Sequence, residues 1–585
     1  MRLSPEITSR MIDHLSFLYG TEHGAVVWAC LREKLQTFHQ QHPQMAVDDG
    51  ERLTERDVIL ITYGDQIRSP GRAPLQDLAE VLVATVKGSI TGVHILPFCP
   101  YSSDDGFSVI DYVQVDPELG SWDDVALLGK DFRLMFDLVL NHISAQSDWF
   151  KAFLAGDPDF ADAFIVVEPG TDLSMVTRPR ALPLLTAFTT ASGDEKLVWA
   201  TFSEDQIDLN FADPGVLLRM LDVLLFYVAQ GAEIIRLDAI AYLWKTIGTT
   251  CIHLEETHRV VRLIRAVLDA VAPRVMLITE TNVPHAENIS YFGDGTDEAQ
   301  LVYQFPLPPL VFHAVMRGDA TYLTHWAAEL ASPSAQATFY NFLASHDGIG
   351  VRPVEGILPP AEVAAMAAQV RAHGGYVSTK ANPDGSESAY ELNISYFDAL
   401  SDPQGDEPMD LQVARFIASQ AIMLALQGVP AIYVHSLFGS RSDHDGVART
   451  GRYRSINRAK FDRARLEAAL ADPESLRARV FRAYRRLLDI RAQHKAFHPH
   501  GAQVVLDLHP AIFALRRTSP DDHEALLCLH NVSGMTVTLE VAARAAFEGQ
   551  VIAAYDLLSD TTWAVDSKMI RLTLSPYQVM WLAAR

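Results

Sequence analysis

Three things are scarce in this chain of 585 residues: cysteine, positive charge and long apolar runs. The four cysteines (Cys30, Cys99, Cys251, Cys528) are scattered and show no CxxC spacing. That excludes a disulfide framework and a cysteine-based zinc site, and it fits reduced, mostly buried thiols in a cytoplasm. Lys and Arg number 48 against 73 Asp and Glu, a net charge of −25, which excludes nucleic acid or an anionic membrane as partner. Any anionic substrate must then be drawn in by a local basic pocket against the global field. No eighteen consecutive apolar residues occur, so no segment is expected to span a membrane. The N-terminus, MRLSPEITSRMIDHLSFLYG, lacks the basic-then-apolar pattern of a secretory leader. A cytoplasmic location is expected. Internal repeats and low-complexity tracts are also missing.

What is present is 49% hydrophobic and 21% charged, enough for one large domain with smaller ones attached. Residues 1–52 read as a helical extension, because Ile12, Leu15 and Leu18, then Leu31, Leu35 and Phe38, recur at three- to four-residue steps. From Asp57 short apolar runs take over. They begin near Val58, Val93, Leu134, Ile234, Val275, Leu301, Thr338 and Ala431, and most precede a stretch of helical periodicity such as 75–86, 216–229, 258–271 or 413–426. Eight buried strands alternating with helices predict an α/β fold, a (β/α)8 TIM barrel, over 53–144 and 206–498. Two connections are too long for ordinary loops. One is an inserted B domain at 145–205 after strand three, carrying the basic turn Thr177-Arg-Pro-Arg-Ala-Leu-Pro183. The other is an inserted loop region at 348–410 after strand seven, carrying the turn Ala381-Asn-Pro-Asp-Gly-Ser386. Residues 499–585 hold short strands between turns and read as a C-terminal all-β domain of sandwich type.

In such a barrel the chemistry sits at the C-terminal ends of the strands. Asn141 and His142 follow strand three, Arg236 and Asp238 end strand four, Glu280 follows strand five, and His346 and Asp347 follow strand seven. Arg236 and Asp238 are two residues apart, so they face the same way. Alone, that pair is as consistent with a packing ion pair as with a catalytic carboxylate. Three carboxylates converging on one mouth suit glycosidic chemistry, whose transition state is cationic and whose leaving oxygen needs a proton. Arg236 is expected to hold Asp238 ionised for attack on the anomeric carbon, and the less cationic setting Thr279-Glu280-Thr281 to keep Glu280 protonated. The histidines are not at ligand spacing and no all-oxygen calcium pattern is present, so neither metal nor cofactor is expected.

As a set, Asp137-x-x-x-Asn141-His142, Arg236-x-Asp238, Glu280 and His346-Asp347 resemble the four short motifs of the alpha-amylase family, whose members are retaining enzymes acting on α-glucosides. The resemblance implies Asp238 as nucleophile, Glu280 as general acid/base and Asp347 as the acid that stabilises the transition state. It also implies that Arg236, His142 and His346 line a glucose subsite. Gly92-Val-His-Ile-Leu-Pro-Phe98, Gly120-Ser-Trp-Asp-Asp124, Ala344-Ser-His-Asp-Gly-Ile-Gly350, Arg178-Pro-Arg180, Gly428-Val-Pro430 and Ile456-Asn-Arg458 are similar to the sucrose phosphorylase branch. By position, Asp104 and Arg454 then resemble the pair that clamps the far hydroxyls of glucose. Phe107, Phe202 and Tyr242 resemble its aromatic lining, and Arg180 and Tyr390 the residues that meet phosphate.

The likeness covers about residue 57 to the end, with two departures. Sucrose phosphorylase lacks the N-terminal extension, and its acceptor loop has a leucine before the tyrosine and a glutamine after it where this chain reads Ala389-Tyr390-Glu391. The extension, Ser102–Asp111 and Ile278–His285 resemble glucosylglycerate phosphorylases more closely. The implied activity is reversible phosphorolysis of 2-O-α-D-glucosyl-D-glycerate to α-D-glucose 1-phosphate and D-glycerate, with a small sugar substrate and inorganic phosphate as the partners. Sucrose or glucosylglycerol phosphorylase, an α-glucosidase and a non-catalytic amylase-like binding protein are the alternatives. Glu391 joins the acceptor side by position, although a carboxylate beside an anionic glycerate is costly unless paired or turned away.

Overall fold

The computed structural model describes residues 4–48, 50–179, 182–381, 387–547 and 551–585. The expected eight strands form a closed parallel barrel. We label them β1 (Ile59–Thr62), β2 (Gly92–Ile95), β3 (Arg133–Val139), β4 (Ala232–Asp238), β5 (Met276–Thr279), β6 (Leu301–Tyr303), β7 (Thr338–Phe342) and β8 (Val429–Tyr433). Each pairs with its neighbours in sequence, and β1 closes on β8 with Ile59 opposite Ala431. The strands are buried on both faces, which is why they read as continuous apolar runs instead of alternating ones.

Helices α1 (Pro5–Tyr19) and α2 (Thr21–Gln41) form the N-terminal extension. Ser4 caps α1 by accepting the Ile7 N–H at 3.1 Å, and Pro5 occupies the first turn, where its missing N–H costs nothing. Gly20, at φ 77°, reverses the chain, and Gly24 lets the helices meet, since a Cβ there would lie 2.8 Å from the Leu15 carbonyl oxygen. Met11, Leu15, Leu31 and Leu35 are fully buried and join the main core. At about 2 kcal/mol for each such side chain, this docking is not incidental. Arg10 pairs with Asp269 at 3.0 Å and Lys34 with Asp222 at 2.7 Å, fastening the hairpin to the helices Glu255–Val271 and Pro214–Ala229 that flank β4.

Both long connections carry structure of their own. After β3 come a helix (Asp148–Ala155), a hairpin (Leu185–Thr189 with Glu195–Trp199) and a strand, Gln206–Asp208, that returns to pair antiparallel with His142–Ser144. After β7, Ile349–Gly350 pairs with Glu387–Asn393, which pairs with Tyr376–Ala381, backed by the helix Pro360–Ala372. Of the two turns singled out in the sequence, Arg180 and Ala181 in the first and 382–386 in the second lie outside the described residues.

The C-terminal region is all antiparallel sheet apart from the short helix Ala543–Ala546, but its eight strands hydrogen-bond in one continuous order instead of forming two separate sheets. Phe513, Leu515, Cys528 and Trp581 face the barrel core. Ile512, Ala514, Leu527 and Leu529 share a second core with Leu539, Ile570 and Leu572. Along Met569–Leu574, Ile570, Leu572 and Leu574 are buried and alternate with exposed residues, the period-two pattern of a strand with one covered face. No helix among the described residues is long and apolar enough to cross a membrane.

Candidate active site

The site is built from strand ends. Asp137 on β3 lies in register with Arg236 on β4, and His94 on β2 completes a buried row inside the barrel. His94 Nε2 is 2.6 Å from Asp137 Oδ2, and the Arg236 guanidinium is held between Asp137 and Asp238, at 2.6 Å from the latter's Oδ1. The next residue, Ala239, takes a left-handed conformation (φ 49°), a position that costs an ordinary residue about 1 kcal/mol. This aims its N–H at Glu280 Oε2, 3.1 Å away. The loop after β7 is clamped by Asn457, whose amide donates to the Ser345 carbonyl at 2.6 Å, and by Arg458, which donates to the His346 carbonyl at 2.8 Å. Arg458 also pairs with Asp105, and so holds the run Asp104-Asp105-Gly106, all at positive φ, against the mouth.

These elements surround an open cavity of about 700 Å³, the solvent space at its mouth included. Asp238, Glu280 and Asp347 all line it. So do His142, Arg236, His346, Asp104, Arg454, Phe107, Phe202, Tyr242 and Tyr390. Phe107 stacks on His346 (centroids 4.8 Å, 9° between planes), and Phe202 meets Tyr242 edge-on at 5.5 Å. Arg180 lies outside the described residues. Arg178 is exposed and donates to the Leu182 carbonyl. Glu391, placed on the acceptor side by sequence, does not line this cavity. Its carboxylate is turned onto Arg454 (2.9 and 3.1 Å) and the Gly348 N–H (3.0 Å), and it borders an outer recess. Pairing removes the electrostatic objection that its charge raised.

The three carboxylates differ in environment. Burial raises the Glu280 carboxyl, and the nearby negative charges of Asp238 and Asp347 raise it further. Arg236, 3.8 Å away, offsets only part, leaving a value of about 7. Burial also acts on Asp347, but Arg454 at 2.6 Å, then His346 and Arg458, hold it well below the usual carboxylate range. The expectation that Arg236 depresses Asp238 needs correction. Burial outweighs the guanidinium there and leaves Asp238 raised, because Arg236 is shared with Asp137, which it and His94 hold low. Asp238 is still the better-supported anion of the pair. It accepts a charge-assisted bond at 2.6 Å, whereas the hydrogen bond Glu280 accepts is from a neutral backbone N–H. Burial lowers His142, and lowers His346 to about 3, so both are neutral at physiological pH.

A family model described as the catalytic domain of alpha amylase matches residues 86–349. A glucosylglycerate phosphorylase of Allomeiothermus silvanus is 51% identical over 99% of each chain. The chain belongs to the alpha-amylase family, in its sucrose phosphorylase branch. A sucrose phosphorylase of Agrobacterium vitis is 31% identical but matches 75% of this chain and 88% of its own. Among solved structures, sucrose 6F-phosphate phosphorylase from Thermoanaerobacter thermosaccharolyticum superposes with a TM-score of 0.72 at 22% identity, covering 91% of this chain and 99% of the other. At that identity the superposition speaks for the fold.

Within this alpha-amylase frame, sequence reasoning missed several groups. Gln206 lines the cavity and places its amide nitrogen 3.1 Å from His142 Nε2 and 3.3 Å from the Phe107 carbonyl, tying the inserted region to the barrel rim. Thr281 and Asn282 line it beside Glu280. Lys245, fully enclosed, sets its ammonium 2.5 Å from Asp208 and 2.8 Å from the Asn141 side-chain oxygen, and Asn141 in turn lies 3.2 Å from His142 Nδ1. The run Tyr242-Leu-Trp-Lys245 gives no sign of this, since Asp208 and Asn141 reach it only through the return of the inserted strand.

Proposed function

We propose that this chain is a retaining α-glucoside phosphorylase acting on 2-O-α-D-glucosyl-D-glycerate. Asp238 attacks C1 of the glucosyl unit from the β face while Glu280 delivers its proton to the glycosidic oxygen, so the C1–O bond breaks, D-glycerate departs, and a β-glucosyl ester forms on Asp238. Phosphate then enters the vacated acceptor space. Glu280, now ionised, takes its proton as the phosphate oxygen attacks C1, the ester bond breaks, and α-D-glucose 1-phosphate leaves with Asp238 restored. Both steps are reversible.

The remaining roles follow from chemistry and resemblance. Asp347, kept ionised by Arg454, faces the developing positive charge at the sugar ring. Asp104 and Arg454 are assigned the far hydroxyls of glucose, His142 and His346 serve as neutral hydrogen-bond donors, and Phe107, Phe202 and Tyr242 supply the apolar wall. Phosphate must outcompete water that is far more concentrated, and positioning by Arg180 and Tyr390 is assigned that task. Three free, buried cysteines suit a reducing cytoplasm.

The observation that carries this reading is the 51% identity extending over 99% of both chains, N-terminal hairpin included, where the sucrose phosphorylase match stops at 75% of this chain. The test is phosphorolysis of glucosylglycerate, sucrose and glucosylglycerol, followed by release of glucose 1-phosphate. Preference for glucosylglycerate is the expected result. Preference for a neutral glucoside overturns the substrate assignment, and free glucose as the main product in phosphate buffer overturns the phosphorylase assignment in favour of an α-glucosidase.

A further inference from the structure

The acceptor half of the cavity must seat a carboxylate if glycerate is what departs, and apart from Arg180, which lies outside the described residues and is assigned to phosphate above, most cations around it are already engaged. Arg236 is held by Asp137 and Asp238, Arg454 by Asp347 and Glu391, Arg458 by Asp105, and Lys245 by Asp208. Arg352 is different. Among the described residues it makes no ion pair, and its Nε is buried without a hydrogen-bond partner. In a chain of net charge −25, a half-buried guanidinium without a protein carboxylate is open to an anion that a ligand supplies.

Its position fits that role. The turn that carries it threads between residues that line the cavity next to Glu280. The Val351 N–H donates to the Tyr390 carbonyl at 3.1 Å, and a Cβ on Gly350 would come within 2.8 Å of the Asn282 amide. The guanidinium itself lies beside the Tyr242 phenol, where burial raises the phenol's pKa and Arg352 opposes the rise. Tyr242, Asn282 and Tyr390 all border the cavity with Glu280, the group that protonates the departing oxygen, so Arg352, which does not itself line the cavity, stands behind the wall of the space into which the leaving group moves.

We propose that Arg352 is the specificity-determining cation of the acceptor subsite, recognising the carboxylate of a small α-hydroxy acid and so favouring it over a neutral polyol. This rests on the phosphorylase reading above. A guanidinium is suited to the task because it pairs with a carboxylate through two parallel hydrogen bonds.

The experiment uses the full chain with α-glucosyl fluoride as donor, which brings no phosphate into the acceptor space, and compares D-glycerate with glycerol as acceptors. Arg352→Met is expected to raise the KM for D-glycerate by about tenfold or more, the loss of one charge-assisted contact. The KM for glycerol and the hydrolysis of the fluoride should stay within about twofold, and Arg352→Lys should recover part of the loss, since it keeps the charge but not the fork. Arg452→Met serves as a control, because Arg452 is exposed on the outer recess and makes no ion pair among the described residues. An unchanged KM for glycerate in Arg352→Met, an equal rise for glycerol, or a rise in Arg452→Met instead would overturn the assignment. Failure of the unmodified enzyme to glucosylate D-glycerate at all would overturn the functional reading itself, whatever the variants do.

Discussion

The protonation state of Glu280 offers the most quantitative test of the site. Its carboxyl is raised from an ordinary 4.5 to about 7, first by burial and then by Asp238 and Asp347. That rise corresponds to roughly 3 kcal/mol against the ionised form. At pH 7 a carboxyl of ordinary acidity would be protonated in about 0.3% of molecules, while one titrating near 7 is protonated in about half. The environment therefore multiplies the population competent to protonate the leaving oxygen by roughly 150. The sign is fixed by the direction of the rise: the acid form persists up to about pH 7, and kcat/KM for phosphorolysis of the glucoside should fall tenfold per pH unit above it. Replacing Glu280 with Gln should depress turnover of the natural glucoside by several orders of magnitude and abolish that alkaline limb. It should spare formation of the glucosyl-enzyme from α-glucosyl fluoride, whose leaving group needs no proton. A pH profile flat from 6 to 9, or a Glu280→Gln variant that loses both donors equally, would refute the assignment of Glu280 as the acid. The same rise has a cost in stability. The folded chain holds this proton up to about 7 whereas the unfolded chain loses it near 4.5, so the penalty for ionising Glu280 grows between those values and is fully present above 7. Glu280→Gln should then be more stable than the parent at pH 8 and little different at pH 4.

Three further outcomes follow from particular contacts. Asp238→Asn should lower turnover by about four orders of magnitude or more with either donor, checked by rapid-quench detection of the glucosyl-enzyme, because no carboxylate remains to form the ester. Lys245→Met strands Asp208 as a buried charge and should cost about 3–5 kcal/mol in chemical denaturation, with Lys245→Met/Asp208→Asn recovering part of it. Tyr19→Phe removes the bond its hydroxyl donates to the Phe211 carbonyl at 2.9 Å and should destabilise the N-terminal hairpin by about 1 kcal/mol. Amide exchange across residues 5–41 reads this directly, and unchanged protection there would show that the bond contributes nothing.

The barrel could be read from the chain because its signals are local. Each strand is a short run buried on both faces, each helix shows its own periodicity, and the eight runs recur in one order that a closed parallel sheet satisfies. The polar residues at strand ends were legible for the same reason, since the fold sends every such end to one mouth. Two features were not. Arg236 and Asp238 are two residues apart on β4, but the pull between them depends on Asp137, a strand away, taking the larger share of the guanidinium. Glu391 looked hostile to an anionic acceptor until the loop after β7 folded its carboxylate onto Arg454. What the sequence by itself determined was the architecture, the convergence of three carboxylates and their family resemblance. The balance of charge among those groups was decided by tertiary structure, and so was the burial that brings Glu280 to about 7. Electrostatic energies depend on distances and desolvation, and both are set by side chains brought together from far apart in the chain.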